Sequence, residues 1–185
     1  MSRVLLTGMP GGGKSTALVE LGRRGHRVVD TDESGWCEYR SYAQPLDALH
    51  RGEWHWVEDR MTTLLESHDG PALFVAGRAA NQSTFYDRFD AVVLLSAPID
   101  LLLDRVAART TNQYGKTALE RAEILAGLAE IEPQLRASCT HELDASRPID
   151  GVVADLIAIA SGGREGEPSL GPARWVEEMS GESDV

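Results

Sequence analysis

The chain alternates between short, mostly apolar segments typical of buried strands and longer segments with apolar residues at helical spacing. The candidate strands are residues 3–7, 26–30, 72–76, 91–95 and 140–144. Residues 72–76 are apolar throughout, as expected for a strand covered on both faces of a parallel sheet. Five strands that alternate with helices predict a three-layer α/β/α sandwich around a five-stranded parallel sheet.

Helical spacing is clear in the segments between these strands. Apolar residues recur at helical spacing over residues 54–65, which predicts a helix with Trp54 in the core. Residues 117–120 have the capping-box pattern, so a further helix is expected to start there and to run continuously through inward positions at 124–135. The closing helix is expected at residues 148–160.

Residues 8–15 read Gly-Met-Pro-Gly-Gly-Gly-Lys-Ser and fill the pattern G-x-x-x-x-G-K-[ST] completely. The loop lies between a candidate strand and a candidate helix, which is the context in which this pattern cradles a triphosphate. Glycines let backbone N–H groups turn toward the phosphates, and a helix N-terminus favours an anion. We expect Lys14 to reach the β- and γ-phosphates and Ser15 to ligate Mg²⁺. The expected nucleotide-binding residues here are Gly8, Gly11, Gly12, Gly13, Lys14, Ser15 and Thr16.

Composition limits the class of protein. The 185 residues are 42% apolar and 25% charged, which is typical of one globular domain. The net charge of −11 argues against nucleic acid as the main partner, because binding to its backbone needs a basic surface. No apolar run reaches the length of a membrane span, and no signal peptide is expected. Cys37 and Cys139 fit free thiols of a cytoplasmic protein.

The domain is expected to cover residues 1–160. Residues 161–185 are rich in Gly, Glu, Ser and Pro and are expected to form a disordered acidic tail, although Trp175 and Val176 could dock on the domain. The sequence leaves the oligomeric state open between monomer and dimer.

Two carboxylates follow the second candidate strand, at Asp30 and Asp32. Ligands of open parallel sheets gather at the carboxyl ends of the strands, so both should lie beside the phosphate loop. We expect Asp30 to help hold Mg²⁺ and Asp32 to position or deprotonate an acceptor hydroxyl. The alternative is that these residues only cap the next helix. The third candidate strand ends in Ala76, Gly77 and Arg78, so no acidic residue stands at its end.

Arginines are the other candidate site residues. Arg105 and Arg109 lie one helical turn apart before a polar stretch, which fits a lid at residues 109–120 that closes over phosphates. A solvated helix end is the alternative, and Lys116 and Arg121 could join either arrangement. Arg60 and Arg78 are candidates for binding the acceptor. Aromatic residues of the expected acceptor segment, residues 31–68, could wall its pocket: Trp36, Tyr39, Trp54 and Trp56.

The phosphate loop, Asp30 with Asp32, Arg105 with Arg109, and residues 144–148 together resemble small P-loop kinases, especially shikimate and gluconate kinases and, further off, nucleoside monophosphate kinases. The resemblance covers residues 1–160. It implies a sheet order of 2-3-1-4-5, an acceptor-binding segment after the second strand and a lid after the fourth. It also implies that Asp32 binds the acceptor and that Arg147 and Pro148 cradle the adenine.

The sequence departs from this group at three places. Arg60 is only an approximate match to the acceptor-binding arginine expected on the helix near residue 60. Gly77-Arg78-Ala79-Ala80 replaces the glycine-rich turn with which shikimate kinases hold their substrate, and residues 110–117 lack the Arg-Pro pairing usual in the lid. These departures argue against shikimate as the acceptor. Residues 85–116 also resemble bacterial ATP-binding proteins labelled AAA.

The leading hypothesis is an ATP- and Mg²⁺-dependent kinase that phosphorylates a hydroxyl of a small metabolite such as a sugar acid, a polyol or a secondary metabolite. A nucleoside or nucleotide kinase is the alternative within the same class, and it would need Arg60 and Arg78 to point inward. A regulatory ATP-binding protein without a small-molecule acceptor is the alternative of another class. The sequence leaves the choice between ATP and GTP open.

Overall fold

The computed structural model describes residues 1–33, 35–44, 52–110 and 113–162. Its strands are β1 (Arg3–Thr7), β2 (Arg27–Asp30), β3 (Cys37–Ser41), β4 (Gly52–Trp56), β5 (Leu73–Ala76), β6 (Ala91–Ser96) and β7 (His141–Asp144). Its helices are α1 (Lys14–Arg23), α2 (Glu58–Glu66), α3 (Ile99–Ala108), α4 (Ala118–Glu130), α5 (Glu132–Ser138) and α6 (Ile149–Gly162), and a 3₁₀ helix spans Gln82–Arg88.

The main sheet has the order β2-β5-β1-β6-β7, and all of its strands are parallel. These are the five strands expected from the sequence, and their order confirms the expected 2-3-1-4-5 pattern. In the centre, Leu5 of β1 pairs with Val75 of β5 on one side and Val92 of β6 on the other. All three side chains are buried, because helices cover both faces of the sheet.

The core has two parts, one on each face of the sheet. On one face α1 and α6 cover the sheet with Ala17, Leu18, Leu21, Val152, Val153 and Leu156. On the other face α2, Trp56 and the 3₁₀ helix supply Met61, Leu64, Leu65, Phe85 and Tyr86. The phosphate loop follows β1 at the carboxyl edge of the sheet, where ligands of open parallel sheets bind.

The segment before α2 differs from the expectation. Residues 52–56 form β4, which pairs antiparallel with β3, and α2 begins only at Glu58. The prediction that Trp54 belongs to the core is wrong, because 57% of its surface is exposed, whereas Trp56 is fully buried. Trp54 and Trp56 lie on the same face of β4, but only Trp56, at the end of the strand, packs in the core, where its ring meets that of Phe85.

The helix expected to run continuously after residue 117 is two helices. α4 ends at Glu130 and α5 restarts at Glu132, with Pro133 in its first turn. Proline has no N–H to donate to the preceding turn and is tolerated only at the start of a helix, so the chain bends at Ile131. The predicted capping box is confirmed: Thr117 Oγ1 accepts a 3.2 Å hydrogen bond from the Glu120 amide.

The last helix, α6, ends at Gly162, close to the expected domain boundary. Residues 163–185, including Trp175 and Val176, lie outside the part that the structure describes. Cys37 and Cys139 are free thiols, as expected. Within the described ranges, none of the helices is long and apolar enough to cross a bilayer.

Candidate active site

The phosphate loop is built from glycines that other residues could not replace. Gly8, Gly11 and Gly13 have φ values of 140°, 85° and 84°, in the region that disfavours side chains. A Cβ on Gly8 would lie 2.5 Å from the Leu95 carbonyl oxygen, and one on Gly11 would overlap the Leu102 carbonyl. The loop therefore packs directly on the end of β6 and on α3.

Helix α1 begins immediately after this loop, at Lys14, and its first turn carries no side-chain cap. Its first N–H groups are therefore left for a ligand, and the partial positive charge of the helix end favours an anion. Ser15 and Thr16 are exposed in this first turn. The geometry is that of a cradle for phosphate oxygens.

The ammonium of Lys14 lies across the loop. Its Nζ donates hydrogen bonds to the carbonyl oxygens of Gly8, at 2.7 Å, and Met9, at 3.2 Å. Burial lowers the pKa of Lys14, and the negative charges of Asp32 and Asp30 act in the opposite direction. The cation is thus held inside the cradle, close to both carboxylates.

Ser15 and Asp30 form a pair of oxygen donors beside the loop. The Ser15 hydroxyl donates a 2.8 Å hydrogen bond to Asp30 Oδ2, and Asp30 Oδ1 accepts a 3.0 Å bond from the Asp32 amide. Mg²⁺ in phosphate sites is bound by one or two protein oxygens together with phosphates and water. The oxygen chemistry and position of the pair fit that ion.

Asp32 follows on the same turn. Burial raises the pKa of Asp32, with a further contribution from Asp30, while Lys14, Arg109 and Arg78 lower it. A carboxyl group whose pKa lies above its ordinary range accepts a proton more readily near neutrality. Lys14, Arg78 and Arg109 are thus the positive charges that favour the ionised form of this carboxylate.

Thr31, which stands between the two carboxylates, is fully buried and fixes their position. Its amide donates a 2.8 Å hydrogen bond to the Ala76 carbonyl of β5, and its hydroxyl accepts a 3.0 Å bond from the Trp56 indole N–H. Gly77 makes this approach possible: its φ is +147°, and a Cβ there would overlap the Thr31 hydroxyl. Neither Thr31 nor this role of Gly77 was predicted from the sequence.

The segment after β5 is bound to β4. The Asn81 side chain accepts a 2.8 Å hydrogen bond from the Trp56 amide and donates a 3.1 Å bond to the Trp56 carbonyl, and the Ala80 amide donates to Trp54. Asn81 was not predicted from the sequence either. This segment carries Arg78, which is exposed and makes no hydrogen bond or ion pair with any residue that the structure describes.

Arg60, the other expected acceptor residue, lies on α2. Its guanidinium stacks over the Trp36 ring at 4.0 Å from the centroid, and a Cβ on Gly35 would overlap it. Arg60 also lines a groove of about 500 Å³ together with residues of β2 and α2, among them Arg27 and Leu64.

Arg105 of α3 and Arg109, which directly follows α3, lie on the other side of the phosphate loop. Arg105 donates hydrogen bonds to Ala145 O, at 2.9 Å, and to Gly11 O, at 3.5 Å. Arg109 donates a 2.7 Å bond to Tyr114 O, while its buried Nε has no hydrogen-bond partner among the described residues. Arg105 therefore joins the phosphate loop to the loop after β7, and Arg109 joins the end of α3 to the segment at Tyr114.

Lys116 does not lie among the cations around the phosphate loop. Its ammonium donates to the carbonyls of Val106, Ala107 and Arg109, at 2.9, 2.6 and 2.6 Å, and so caps the C-terminus of α3. Arg121 donates a 3.3 Å bond to Gly115 O. Both cations hold the predicted lid segment, of which residues 111 and 112 lie outside the described part.

The loop after β7 contains the residues that the sequence resemblance assigned to adenine. The Asp144 carboxylate accepts bonds from the Ser146 amide and hydroxyl, which fixes the turn. Arg147 forms a 2.6 Å ion pair with Asp155 of α6, and Pro148 precedes α6. The contact between Arg105 and Ala145 brings this loop beside the phosphate loop.

A family model described as AAA domain matches residues 4–126, which is more than half of the chain. The chain belongs to the AAA domain family. The matched part runs from β1 into α4 and contains the phosphate loop, both carboxylates, Arg78, Arg105 and Arg109. A comparison with curated protein sequences finds no match.

Solved structures with a similar fold are small P-loop kinases. A shikimate kinase from Acinetobacter baumannii is 16% identical, covers 86% of this chain and 92% of its own, and has a TM-score of 0.57. A gluconokinase from Sinorhizobium meliloti is 16% identical (87% and 92% covered, TM-score 0.52). A deoxyadenosine kinase from M. mycoides is 13% identical (84% and 97% covered, TM-score 0.52). At identities of 13–16%, these comparisons show that the chain has the same fold as these kinases.

Proposed function

We propose that this protein is an ATP-dependent phosphotransferase that moves the γ-phosphate of MgATP to a hydroxyl of a small metabolite, such as a sugar acid, a polyol or a secondary metabolite. The observation that supports this most is the carboxylate of Asp32, placed among the charges of Lys14, Arg78 and Arg109. A carboxylate among cations beside a phosphate loop is suited to take the proton of an acceptor hydroxyl.

In the proposed reaction, Asp32 accepts the proton of the acceptor hydroxyl. The hydroxyl oxygen forms a bond to the γ-phosphorus while the bond from that phosphorus to the bridging oxygen of ADP breaks. The proton is later released from Asp32 to water. The raised pKa of Asp32 suits this role, because a base is most effective when its pKa approaches the working pH.

The cations around Asp32 hold the phosphates. Lys14 lies inside the cradle and binds the β- and γ-phosphates, where its charge neutralises the charge that develops during transfer. Arg105 and Arg109 bind from α3 and orient the γ-phosphate. Positioning and electrostatic stabilisation account for most of the catalysis in reactions of this kind.

Mg²⁺ would be held by Ser15 and Asp30, whose oxygens already lie 2.8 Å apart. When bound, it would neutralise charge on the β- and γ-phosphates. The adenine would lie at the loop after β7, beside Arg147 and Pro148, because Arg105 connects that loop to the phosphate cradle.

The exposed rings of Tyr39 and Trp54 favour a second candidate function, a nucleotide-dependent regulatory protein that binds a partner through this surface. The two candidates differ in one measurable property. A kinase releases ADP faster when its acceptor is present, whereas a regulatory ATP-binding protein hydrolyses ATP at the same rate with every small hydroxyl compound.

The experiment that tests the proposal is ADP release from MgATP with and without a panel of polyols, sugar acids, shikimate and nucleosides. Lys14→Ala is the blank, and Asp69→Asn, an exposed carboxylate on the loop after α2, is the matched control for Asp32→Asn. We expect one class of acceptor to raise turnover above the basal rate, and Asp32→Asn to remove that increase while Asp69→Asn keeps it. An increase that survives in Asp32→Asn would contradict the role of this carboxylate.

A further inference from the structure

The β3–β4 hairpin has two distinct faces. Cys37 pairs with Trp56 and Tyr39 pairs with Trp54, and residues that face each other across an antiparallel pair lie on the same side of the sheet. Alternation along each strand places all four on one face. The residues between them, including Glu38, lie on the other face.

The hairpin face that carries Cys37, Tyr39, Trp54 and Trp56 is called the aromatic face here. Its end at Cys37 and Trp56 is fixed beside Asp32. The Trp56 indole donates to the Thr31 hydroxyl, and the Cys37 thiol donates a 3.3 Å bond to the Thr31 carbonyl. Burial and the negative charge of Asp32 raise the pKa of Cys37 to about 11. The hairpin is thus hydrogen-bonded directly to the turn that carries Asp32, the proposed base.

The other end of the aromatic face, at Tyr39 and Trp54, consists of two exposed rings. Tyr39 and Trp54 are 46% and 57% exposed, and their rings meet edge to face with centroids 5.4 Å apart. Two residues along a strand correspond to about 7 Å, so this pair lies one strand repeat beyond Cys37 and Trp56, which contact Thr31. Rigid aromatic side chains left in contact with water next to a reacting group are suited to bind a flat ligand.

The charges around Asp32 point to the same kind of ligand. Lys14 and Arg109 belong to the phosphate side, so Arg78 is the acceptor-side cation among the charges that act most strongly on Asp32. Arg40, which is exposed on β3, is paired with Glu38 and Glu58. Arg60 stacks on Trp36 and is not among the charges that act most strongly on Asp32. An acidic acceptor would need strong cationic contacts, whereas the side chains that this hairpin face exposes are the aromatic rings of Tyr39 and Trp54.

We propose that the acceptor is a hydroxyl compound that carries a flat aromatic ring, as a nucleoside does, and that Tyr39 and Trp54 hold this ring while Asp32 faces the hydroxyl. This inference rests on the proposed phosphotransferase function. It assigns the recognition of the acceptor to the hairpin, and it narrows the acceptor from small metabolites in general to those with a ring that stacks.

The test compares adenosine, guanosine, cytidine and thymidine with gluconate and shikimate, which have no aromatic ring. Trp54→Ala, Trp54→Phe and the opposite-face control Glu38→Ala are assayed with each compound, both by ADP release and by equilibrium dialysis in the presence of MgADP. We expect at least one nucleoside to be phosphorylated. Trp54→Ala should raise its KM about tenfold, a loss typical of one ring stacking on a base. Trp54→Phe and Glu38→Ala should stay within about twofold of the native KM, and kcat and the KM for ATP should not change.

Failure of this inference is distinguishable from failure of the proposed function. Phosphorylation of gluconate or shikimate but of no nucleoside, with equal KM in Trp54→Ala, would leave the phosphotransferase standing and overturn the ring-binding role. A nucleoside whose binding depends on Trp54 but which is never phosphorylated would uphold the ring site and contradict the reaction. If no compound binds or raises turnover, both are overturned, and a protein partner becomes the occupant of the aromatic surface.

Discussion

The indole N–H of Trp56 donates a 3.0 Å hydrogen bond to the hydroxyl of Thr31, and both side chains are fully buried. This bond joins the end of the β3–β4 hairpin to the turn between Asp30 and Asp32. The hairpin and the carboxylates therefore keep a fixed relation to each other, although they come from different layers of the molecule. Whatever the hairpin binds is held at a defined distance from Asp32.

Replacing Thr31 by Val tests this connection. The two side chains have nearly the same shape, but Val leaves the buried Trp56 N–H without an acceptor, which costs about 1–3 kcal/mol. We expect the free energy of unfolding in urea to fall by that amount and the acceptor KM to rise. Thr63→Val, on the exposed side of α2, is the control and should change stability by less than about 0.5 kcal/mol. Equal effects of the two substitutions would show that the bond does not stabilise the site.

Gly77 provides the space for Thr31, so Gly77→Ala is expected to lower the free energy of unfolding by an unusually large amount. Gly25 also has a positive φ, 86°, but no atom lies within 4 Å of a Cβ placed there. Gly25→Ala therefore measures backbone strain alone, about 1–2 kcal/mol. Gly77→Ala adds the overlap with Thr31, and we expect it to cost about 1–3 kcal/mol more. Urea unfolding of both variants gives the difference, and equal losses would contradict the close packing.

The sheet and the phosphate loop could be predicted because their signals are local. Apolar segments indicated the five strands. The phosphate loop is defined by eight consecutive residues, independently of the rest of the sequence. The positions of Lys14, Ser15 and Asp30 follow from that geometry, since the loop and the end of β2 meet at one edge of a parallel sheet. The structure brings these three together as expected.

The acceptor side could not be predicted in the same way. Residues 54–65 have apolar residues at helical spacing, but pairing of β4 with β3 and the bond from Trp56 to Thr31 override that local pattern. The role of Gly77 depends on Thr31, which lies 46 positions earlier in the chain. Lys116 was similarly ambiguous, because a lysine beside a phosphate site and a lysine that caps a helix have the same sequence signal.

Lys116→Met tests the capping role. The three carbonyl groups at the end of α3 lose a charged donor, which is expected to lower the free energy of unfolding by about 1–3 kcal/mol. Arg23→Met is the control, because this arginine lies in the last turn of α1 with an exposed side chain, and an exposed ion pair contributes less than about 1 kcal/mol. If Lys116→Met leaves unfolding in urea unchanged, the cap does not stabilise α3.

The proposed base should also reduce the stability of the protein. Because the folded state raises the pKa of Asp32 above its ordinary 3.8, it binds a proton more readily than the unfolded chain does, and stability falls as pH rises through this range. At pH 7 the charged Asp32 therefore destabilises the fold, so Asp32→Asn is expected to raise Tm. The gain should disappear below the ordinary pKa, where the carboxyl group is protonated in both states. Thermal unfolding between pH 3 and pH 8 measures this, with Asp69→Asn as the control that shows no such gain. A Tm of Asp32→Asn that equals the native value at pH 7 would mean that Asp32 is not held in an unfavourable charged state, and its assignment as the base would lose its electrostatic support.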